Sequence, residues 1–180
     1  MPNTSEGAAV FQERVRTESN DELLKENTPN DEVVIHLQRQ VANAFVLYAN
    51  YKHYHWQTFG PLFRDLHLLF DEFATEALTT IDEFAERLRM VGQDPVFRPQ
   101  EVEATASVKI SANARTMREM IAEADANLLI IIKEMRAAVR VADEEDDPGT
   151  VDLFSKIVQT HEKHEWWLRD ILEKNDGLAA

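Results

Sequence analysis

Four side chains of metal-binding type recur at a regular spacing in the second quarter of the chain. His67 and Asp71 are four residues apart, and so are Asp82 and Glu86. At about 100° per residue, the four fall within an arc of roughly 100° on one side of a helix. Imidazole and carboxylate without thiolate suit iron, manganese or zinc, and the chain has no cysteine. The pattern predicts a metal site, although these four residues alone are equally compatible with a solvated polar face.

The two halves of this pattern are too far apart to form one site within a straight helix. Asp82 lies eleven positions after Asp71, which is about 16 Å along the axis, whereas the ions of a two-metal site are about 3.5–4 Å apart. Two copies of the helix, packed antiparallel across a two-fold axis near Glu76, would bring His67 and Asp71 of each copy to the partner's other pair. Such an interface predicts two equivalent sites per dimer.

The apolar residues of the same helix support this arrangement. They follow the three-and-four spacing of a buried face, at Leu66, Phe70, Phe73, Ala77, Phe84 and Leu88. The four ligand candidates therefore lie on the side that looks away from the helix's own bundle. Leu68 and Leu78 share that side, as expected if another subunit covers it.

A fifth residue joins the pattern at the end of the preceding predicted helix. Eleven residues separate His55 from His67, three separate His67 from Asp71, ten separate Asp71 from Asp82, and three separate Asp82 from Glu86. With the tryptophan that follows the first histidine, this spacing resembles the ferroxidase signature of the Dps family. These proteins are also called mini-ferritins or DNA-binding proteins from starved cells.

The resemblance extends over roughly residues 30 to 175 and implies a fold and an activity. The implied fold is all-α, a ferritin-like four-helix bundle with a short helix in the long connection between helices 2 and 3. The implied protein is a cytoplasmic homo-oligomer, a hollow dodecamer built from two-fold dimers. It would oxidise Fe(II) to Fe(III), usually with hydrogen peroxide or otherwise with O2, and store ferric mineral against oxidative stress.

The resemblance also implies how the ligands divide between subunits. His55, Asp82 and Glu86 are expected from one chain, with His67 and Asp71 from its two-fold partner. Two iron ions would bind at each such site, and zinc or manganese could substitute for iron. On residue type alone, a histidine at the end of an apolar stripe, as His55 is, also fits a hydrogen-bonded core residue.

Charge argues against the DNA binding that the family name suggests. The net charge is −14, while binding to phosphate backbones depends on clustered Lys and Arg. Residues 1–29 are predicted to be a flexible tail. It has three basic and six acidic residues, a balance of −3: Arg14, Arg16 and Lys25 against Glu6, Glu13, Glu18, Asp21, Glu22 and Glu26. A DNA-compacting protein with weak or no ferroxidase activity is therefore the alternative, and a metal-independent interaction module is a third.

The remaining sequence features predict one domain, residues 30–176, followed by a short tail, 177–180. Hydrophobic periodicity and Pro or Gly breaks predict helices at about 31–57, 61–91, 100–106, 113–143 and 151–174. No apolar run approaches the roughly 20 residues of a membrane span. The chain contains no Glu-x-x-His motif, which disfavours a di-iron centre within one bundle.

Two further groups could have functional roles. The acidic run Asp143, Glu144, Glu145, Asp146 and Asp147, with Asp152, resembles the residues that line negatively charged pores in Dps shells; otherwise it is a solvated turn. His161 and His164 are three residues apart, so they could hold a metal or serve as hydrogen-bonded core residues. His36 and His53 are interpreted as surface or structural residues.

Overall fold

The computed structural model describes residues 31–112 and 116–173, and five α-helices lie within them. In chain order they are α1 (Asp31–Gln57), α2 (Phe63–Met90), α3 (Pro99–Thr105), α4 (Met117–Glu144) and α5 (Pro148–Leu172). The described residues include no strand. The predicted all-α four-helix bundle with a short extra helix is therefore confirmed. The predicted tails at 1–29 and 177–180 lie outside the described residues.

The bundle consists of two helical hairpins. α1 packs most extensively on α2, and α4 on α5, while α1 also contacts α4 and the short α3. Only five residues, 58–62, connect α1 to α2, so these helices must run antiparallel. A much longer connection leads from α2 to α4, and α3 lies within it. Such a connection lets the chain return along the bundle, as ferritin-like topology requires.

Local signals set the beginnings of the last two long helices. Thr116 accepts a hydrogen bond from the backbone N–H of Glu119, and the Glu119 side chain accepts one from the backbone of Thr116, a reciprocal capping box. The side chain of Asp147 accepts from the backbone N–H of Thr150. Pro148 occupies the first helical position, where its missing N–H is harmless. For that reason α5 begins three residues before the predicted start.

The core lies where the apolar stripes predicted it. All six stripe residues of α2 are buried, and Phe70, Phe73 and Phe84 are fully inaccessible to solvent. They pack with the buried faces of α1, α4 and α5 in one continuous cluster. Within the described residues, no helix has the length and apolar character needed to cross a membrane.

Candidate metal centre

The short turn between α1 and α2 brings His55 and His67 together. In an antiparallel hairpin, residues that lie within about a turn of the connection on either side are neighbours. The two imidazole rings are accordingly stacked, with centroids 3.7 Å apart and planes inclined by 20°. Thr58 ends α1 by donating its hydroxyl to the carbonyl of Tyr54, and Gly60 turns the chain with a φ of 86°. At this φ a residue with a Cβ would be strained.

Reciprocal hydrogen bonds fix both rings. Nδ1 of His55 lies 2.7 Å from the carbonyl oxygen of His67, and Nδ1 of His67 lies 2.9 Å from the carbonyl oxygen of His55. A carbonyl oxygen only accepts, so each Nδ1 carries the proton and donates it. With the proton on Nδ1, the nitrogen of each ring left for a metal is Nε2.

A carboxylate and an ammonium group complete this cluster. Oδ1 of Asp71 lies 4.0 Å from Nδ1 of His55 and 2.7 Å from Nζ of Lys52. The hydrogen bond from Lys52 is the main reason why the pKa of Asp71 lies below its usual value. The Asp71 carboxylate is therefore ionised and available as a ligand. Lys52 was missed by the sequence analysis, although it precedes His55 by three residues and so shares its helix face.

Asp82 and Glu86 do not reach this cluster. Both are exposed, on the outward side of α2, about 16 Å or more along the axis from Asp71. Within one chain, the described residues contain no group of three or more His, Cys, Asp or Glu side chains arranged to hold a metal. What one chain provides is thus an anchored half-site, the cluster of His55, His67 and Asp71, and a separate carboxylate pair.

One expectation about the division of ligands is wrong. The resemblance implied that His55 belongs with Asp82 and Glu86, opposite the partner's His67. The stacked rings place His55 beside His67 of its own chain instead. The physical reason is the five-residue turn, which holds the end of α1 against the start of α2, while Asp82 lies about four turns beyond His67 along α2.

The other predicted residues have distinct surroundings. His161 and His164 are buried in the bundle, as the core interpretation expected, but Nδ1 of His161 and Nε2 of His164 lack the hydrogen bonds that it also expected. Asp147 is paired with the guanidinium of Arg87 and caps α5, so its carboxylate is engaged within the fold. The other five acids of the group, Asp143, Glu144, Glu145, Asp146 and Asp152, are exposed.

The outward side of α2 is apolar in part. Leu68 and Leu78 are each 53% exposed although they are large hydrophobic residues. They lie on the same side of the helix as Asp71, Asp82 and Glu86. A surface of this kind is typical of a protein interface.

Comparison with known proteins places the chain in a family. A family model for the ferritin-like domain matches residues 35–177. The DNA protection during starvation protein of Brevibacillus brevis is 37% identical over 141 residues, which span 78% of this chain and 95% of that protein. This chain belongs to the Dps family. No other assignment is needed to explain the five helices or the spacing of the ligand candidates.

Solved Dps structures have the same architecture. The Dps protein from Thermosynechococcus elongatus superposes with a TM-score of 0.80 at 47% identity, covering 88% of this chain and 98% of that one. The Dps protein from Vibrio cholerae O1 superposes with a TM-score of 0.76 at 28% identity, covering 79% of this chain and 90% of that one. The latter is described as a member of a broad superfamily of ferritin-like diiron-carboxylate proteins.

Proposed function

We propose that this Dps protein oxidises Fe(II) to Fe(III) at di-iron sites shared between two subunits. The ferric product is then stored as mineral inside a hollow dodecamer, which protects the cell against oxidative stress. Each site combines His55, His67 and Asp71 of one subunit with Asp82 and Glu86 of the partner subunit. Family membership and the diiron-carboxylate description of the Vibrio cholerae relative support the choice of metal.

The paired hydrogen bonding of His55 and His67 is the observation on which the proposal depends most. Both Nδ1 atoms are committed to backbone carbonyls, so both rings are held in the tautomer that binds a metal through Nε2. An orienting hydrogen bond of this type is a regular feature of metal-ligating histidines.

The need for a second subunit follows from distance. Asp71 and Asp82 are about 16 Å apart along α2, far more than the separation of two ions in one centre. An antiparallel crossing near Glu76 brings each half-site to the carboxylate pair of the other chain. Leu68 and Leu78 would be covered at this crossing, which accounts for their exposure in one chain.

Each ligand type has a role in the reaction. The imidazoles favour binding of Fe(II), and the carboxylates, which are hard oxygen donors, stabilise the Fe(III) product. Hydrogen peroxide accepts one electron from each of two Fe(II) ions; its O–O bond breaks, and two protons convert its oxygens to water. Fe(III) then hydrolyses and mineralises. Zn2+ or Mn2+ can occupy the same ligands, and Zn2+ cannot be oxidised there.

Surface charge would bring the substrate to the shell. The described chain exposes a dense acidic segment, Asp143 to Asp146, beside the start of α5. Negative potential of this kind raises the local concentration of cations and their rate of arrival. We assign this segment to iron access and Trp56, 68% exposed beside His55, to the capture of stray oxidising equivalents.

Anaerobic Fe(II) loading followed by peroxide tests the proposal. The rate of Fe(III) formation is compared between the unmodified protein and the variant His67→Ala/Asp71→Ala. We expect the variant to oxidise iron at about one hundredth of the unmodified rate or below. Loss of even an outer-shell partner lowers metal affinity or activity about 10–100-fold. Equal rates would remove the proposed site.

A matched control keeps this result specific. His36→Ala/Asp65→Ala removes one histidine and one aspartate from α1 and α2 without touching the half-site. Its oxidation rate should equal that of the unmodified protein. Size-exclusion chromatography of all three proteins shows whether a lost rate reflects lost ligands or lost assembly.

A further inference from the structure

The connection that follows α3 is held to the bundle by two clamps of similar composition. Each clamp joins an asparagine of α1, a serine of the connection and a glutamate of α4. In the first, Oδ1 of Asn43 accepts the backbone N–H of Ser107 at 2.9 Å, and Oε2 of Glu134 accepts the Ser107 hydroxyl at 2.6 Å. We call these three residues the distal clamp, because they lie far from the turn between α1 and α2.

The second clamp lies nearer to the half-site and consists of Asn50, Tyr54, Ser111 and Glu123. Oδ1 of Asn50 accepts the backbone N–H of Ser111 at 2.8 Å, and the Asn50 amide donates to a carbonyl of the same connection at 2.9 Å. Oε2 of Glu123 accepts two hydroxyl protons, from Ser111 at 2.7 Å and from Tyr54 at 2.8 Å. This proximal clamp therefore ties the last turn of α1 to α4.

Tyr54 connects the proximal clamp to the histidine half-site. It is fully buried, and its ring packs on Phe70 of α2, with centroids 5.3 Å apart. The next residue is His55, whose carbonyl oxygen accepts the Nδ1 proton of His67. A displacement of the last turn of α1 would therefore move the first ring directly and the second ring through its acceptor.

A metal site tolerates little displacement of this kind. Ligand groups must be held within about 0.5 Å of their productive positions by residues that are themselves fixed by packing and hydrogen bonds. A misplacement of about 1 Å that originates far from the reacting atoms can lower a rate about 100-fold. The last four carbonyl groups of a helix have no partner within it, so contacts from other elements matter most at the end of α1, where His55 lies.

We propose that Glu123 is a positioning residue for the iron site and acts through Tyr54. Its carboxylate holds the phenol hydroxyl, while the phenol ring is packed between α4 and Phe70 of α2. The last turn of α1 is thereby fixed, and His55 stays stacked on His67 when a metal binds. This inference rests on the proposed function, because it gives Glu123 a part in binding the same iron.

The distal clamp provides the matched comparison. Its Glu134 also accepts a serine hydroxyl and an asparagine amide proton, but Asn43 precedes His55 by twelve residues, about 18 Å along α1. Loss of Glu134 should loosen the connection without moving either histidine ring. An effect that Glu123 and Glu134 share is therefore structural, and an effect confined to Glu123 reflects positioning.

Anaerobic Fe(II) titration of the assembled protein tests the proposal. Glu123→Ala should bind Fe(II) about tenfold more weakly, and Glu134→Ala should bind it with unchanged affinity. Both variants should lower the midpoint of guanidinium unfolding at fixed protein concentration, because each loses buried hydrogen bonds. Equal Fe(II) affinities in Glu123→Ala and Glu134→Ala would overturn the proposal.

Two further variants distinguish positioning from a general loss of stability. Tyr54→Phe removes only the hydroxyl and should also weaken Fe(II) binding. Combining it with Glu123→Ala should weaken binding no further than Glu123→Ala alone, because both remove the same hydrogen bond. Glu123→Gln should restore most of the affinity, since an amide oxygen has two lone pairs for the two hydroxyl protons. Full additivity of Tyr54→Phe and Glu123→Ala would contradict action through Tyr54.

Crystal structures separate this proposal from the proposed function. In Glu123→Ala, the ring centroids of His55 and His67 should lie farther apart than 3.7 Å, and Tyr54→Phe provides the same measurement if Glu123→Ala does not fold. An unchanged ring stack would overturn the positioning role. If the rings separate but His67→Ala/Asp71→Ala oxidises iron at the full rate, the proposed function fails and the positioning of the two rings stands.

Discussion

Two histidine pairs in this molecule have opposite surroundings. His55 and His67 meet at the turn between α1 and α2, where each donates its Nδ1 proton to the other's carbonyl oxygen. His161 and His164 lie in the core, where neither is hydrogen-bonded in this way and burial keeps both neutral. The first pair is oriented by backbone hydrogen bonds, and the second only by packing.

The difference teaches how one residue type can serve two kinds of site. In the proposed function, the oriented rings beside Asp71 are half of a site that another subunit completes. The desolvated rings of His161 and His164 lie in the core, where Nε2 of His164 contacts the carboxylate of Glu76. Hydrogen-bond orientation thus fixes the direction of a lone pair near the surface, whereas burial fixes the neutral charge state of the imidazoles.

The largest expected effect is on the rate of iron oxidation by assemblies that mix two variants, and it tests the surface pair. The variants His55→Ala and Asp82→Ala/Glu86→Ala should each lose almost all iron oxidation. Coexpressed in equal amounts, they should recover about a quarter of the rate, since half of random dimers are mixed and each mixed dimer has one intact site of two. Stopped-flow measurement of Fe(III) formation provides the rates.

A second mixture is the control for this result. His55→Ala coexpressed with His67→Ala/Asp71→Ala should recover no oxidation. Every subunit of this mixture has a defective half-site, so no dimer contains an intact site. If this mixture regained activity and the first did not, His55 would belong with Asp82 and Glu86. The grouping seen in the stacked rings would then be wrong for the assembled protein.

Most of the fold could be predicted from the sequence. The limits of α1 agree with the prediction, and the apolar stripe of α2 is buried throughout. Periodicity was sufficient because long amphipathic helices must bury one face, whatever their partners. The prediction was less accurate at the start of α5, where the cap at Asp147 and the ring of Pro148 begin the helix early.

The sequence predicts a set of ligand residues, which stays a prediction, but it does not predict correctly which of them lie together in one chain. Spacing along one helix showed that Asp71 and Asp82 could not meet, and that argument needed only the rise per residue. The neighbours of His55 depended on the length of the turn, a signal present in the sequence that was not used. The pairing of Glu76 with His164 joins α2 to α5, and no periodicity predicts a contact between helices so distant in sequence.

The next largest effect is on the pH dependence of stability, which tests the core pair. The pKa of His161 falls from 6.5 to about 4 on folding, so below pH 6.5 the unfolded chain binds a proton that the folded chain does not. The stability that His161 contributes is therefore complete above pH 6.5 and declines as the pH falls toward 4, by about 1.4 kcal/mol per unit. At pH 5 the loss from His161 alone is about 2 kcal/mol, and the lowered pKa of His164 adds to it.

Guanidinium unfolding with a chelator present, at fixed protein concentration, measures this loss. His161→Leu should reduce the slope of this decline between pH 6.5 and 4 by about 1.4 kcal/mol per pH unit, the contribution of one proton. Met135→Leu, a buried substitution without a titrating group, should shift the midpoint equally at every pH. An unchanged slope in His161→Leu would show that this ring does not resist protonation in the folded state.

Lys52 offers a smaller effect at the surface pair. Its ammonium holds Asp71 at 2.7 Å, so a metal ion must displace it. Lys52→Gln should raise the affinity for Fe(II) about threefold, in line with the modest strength of exposed ion pairs. The pKa of Asp71 should also rise toward its usual value. Anaerobic Fe(II) titration measures the affinity, with Lys156→Gln, which pairs with Glu83, as the control.

The smallest expected effect is on DNA. The net charge of −14 repels a phosphate backbone, so the assembled protein should not retard duplex DNA at about 50 mM salt. Reversing four tail charges, Glu13→Lys/Glu18→Lys/Glu22→Lys/Glu26→Lys, changes the tail from −3 to +5, because each substitution adds two charges to the balance. That variant should retard DNA and release it as salt rises. Retardation by the unmodified protein at low salt would mean that a local patch outweighs the net charge, and both histidine pairs would then have to be tested with DNA bound.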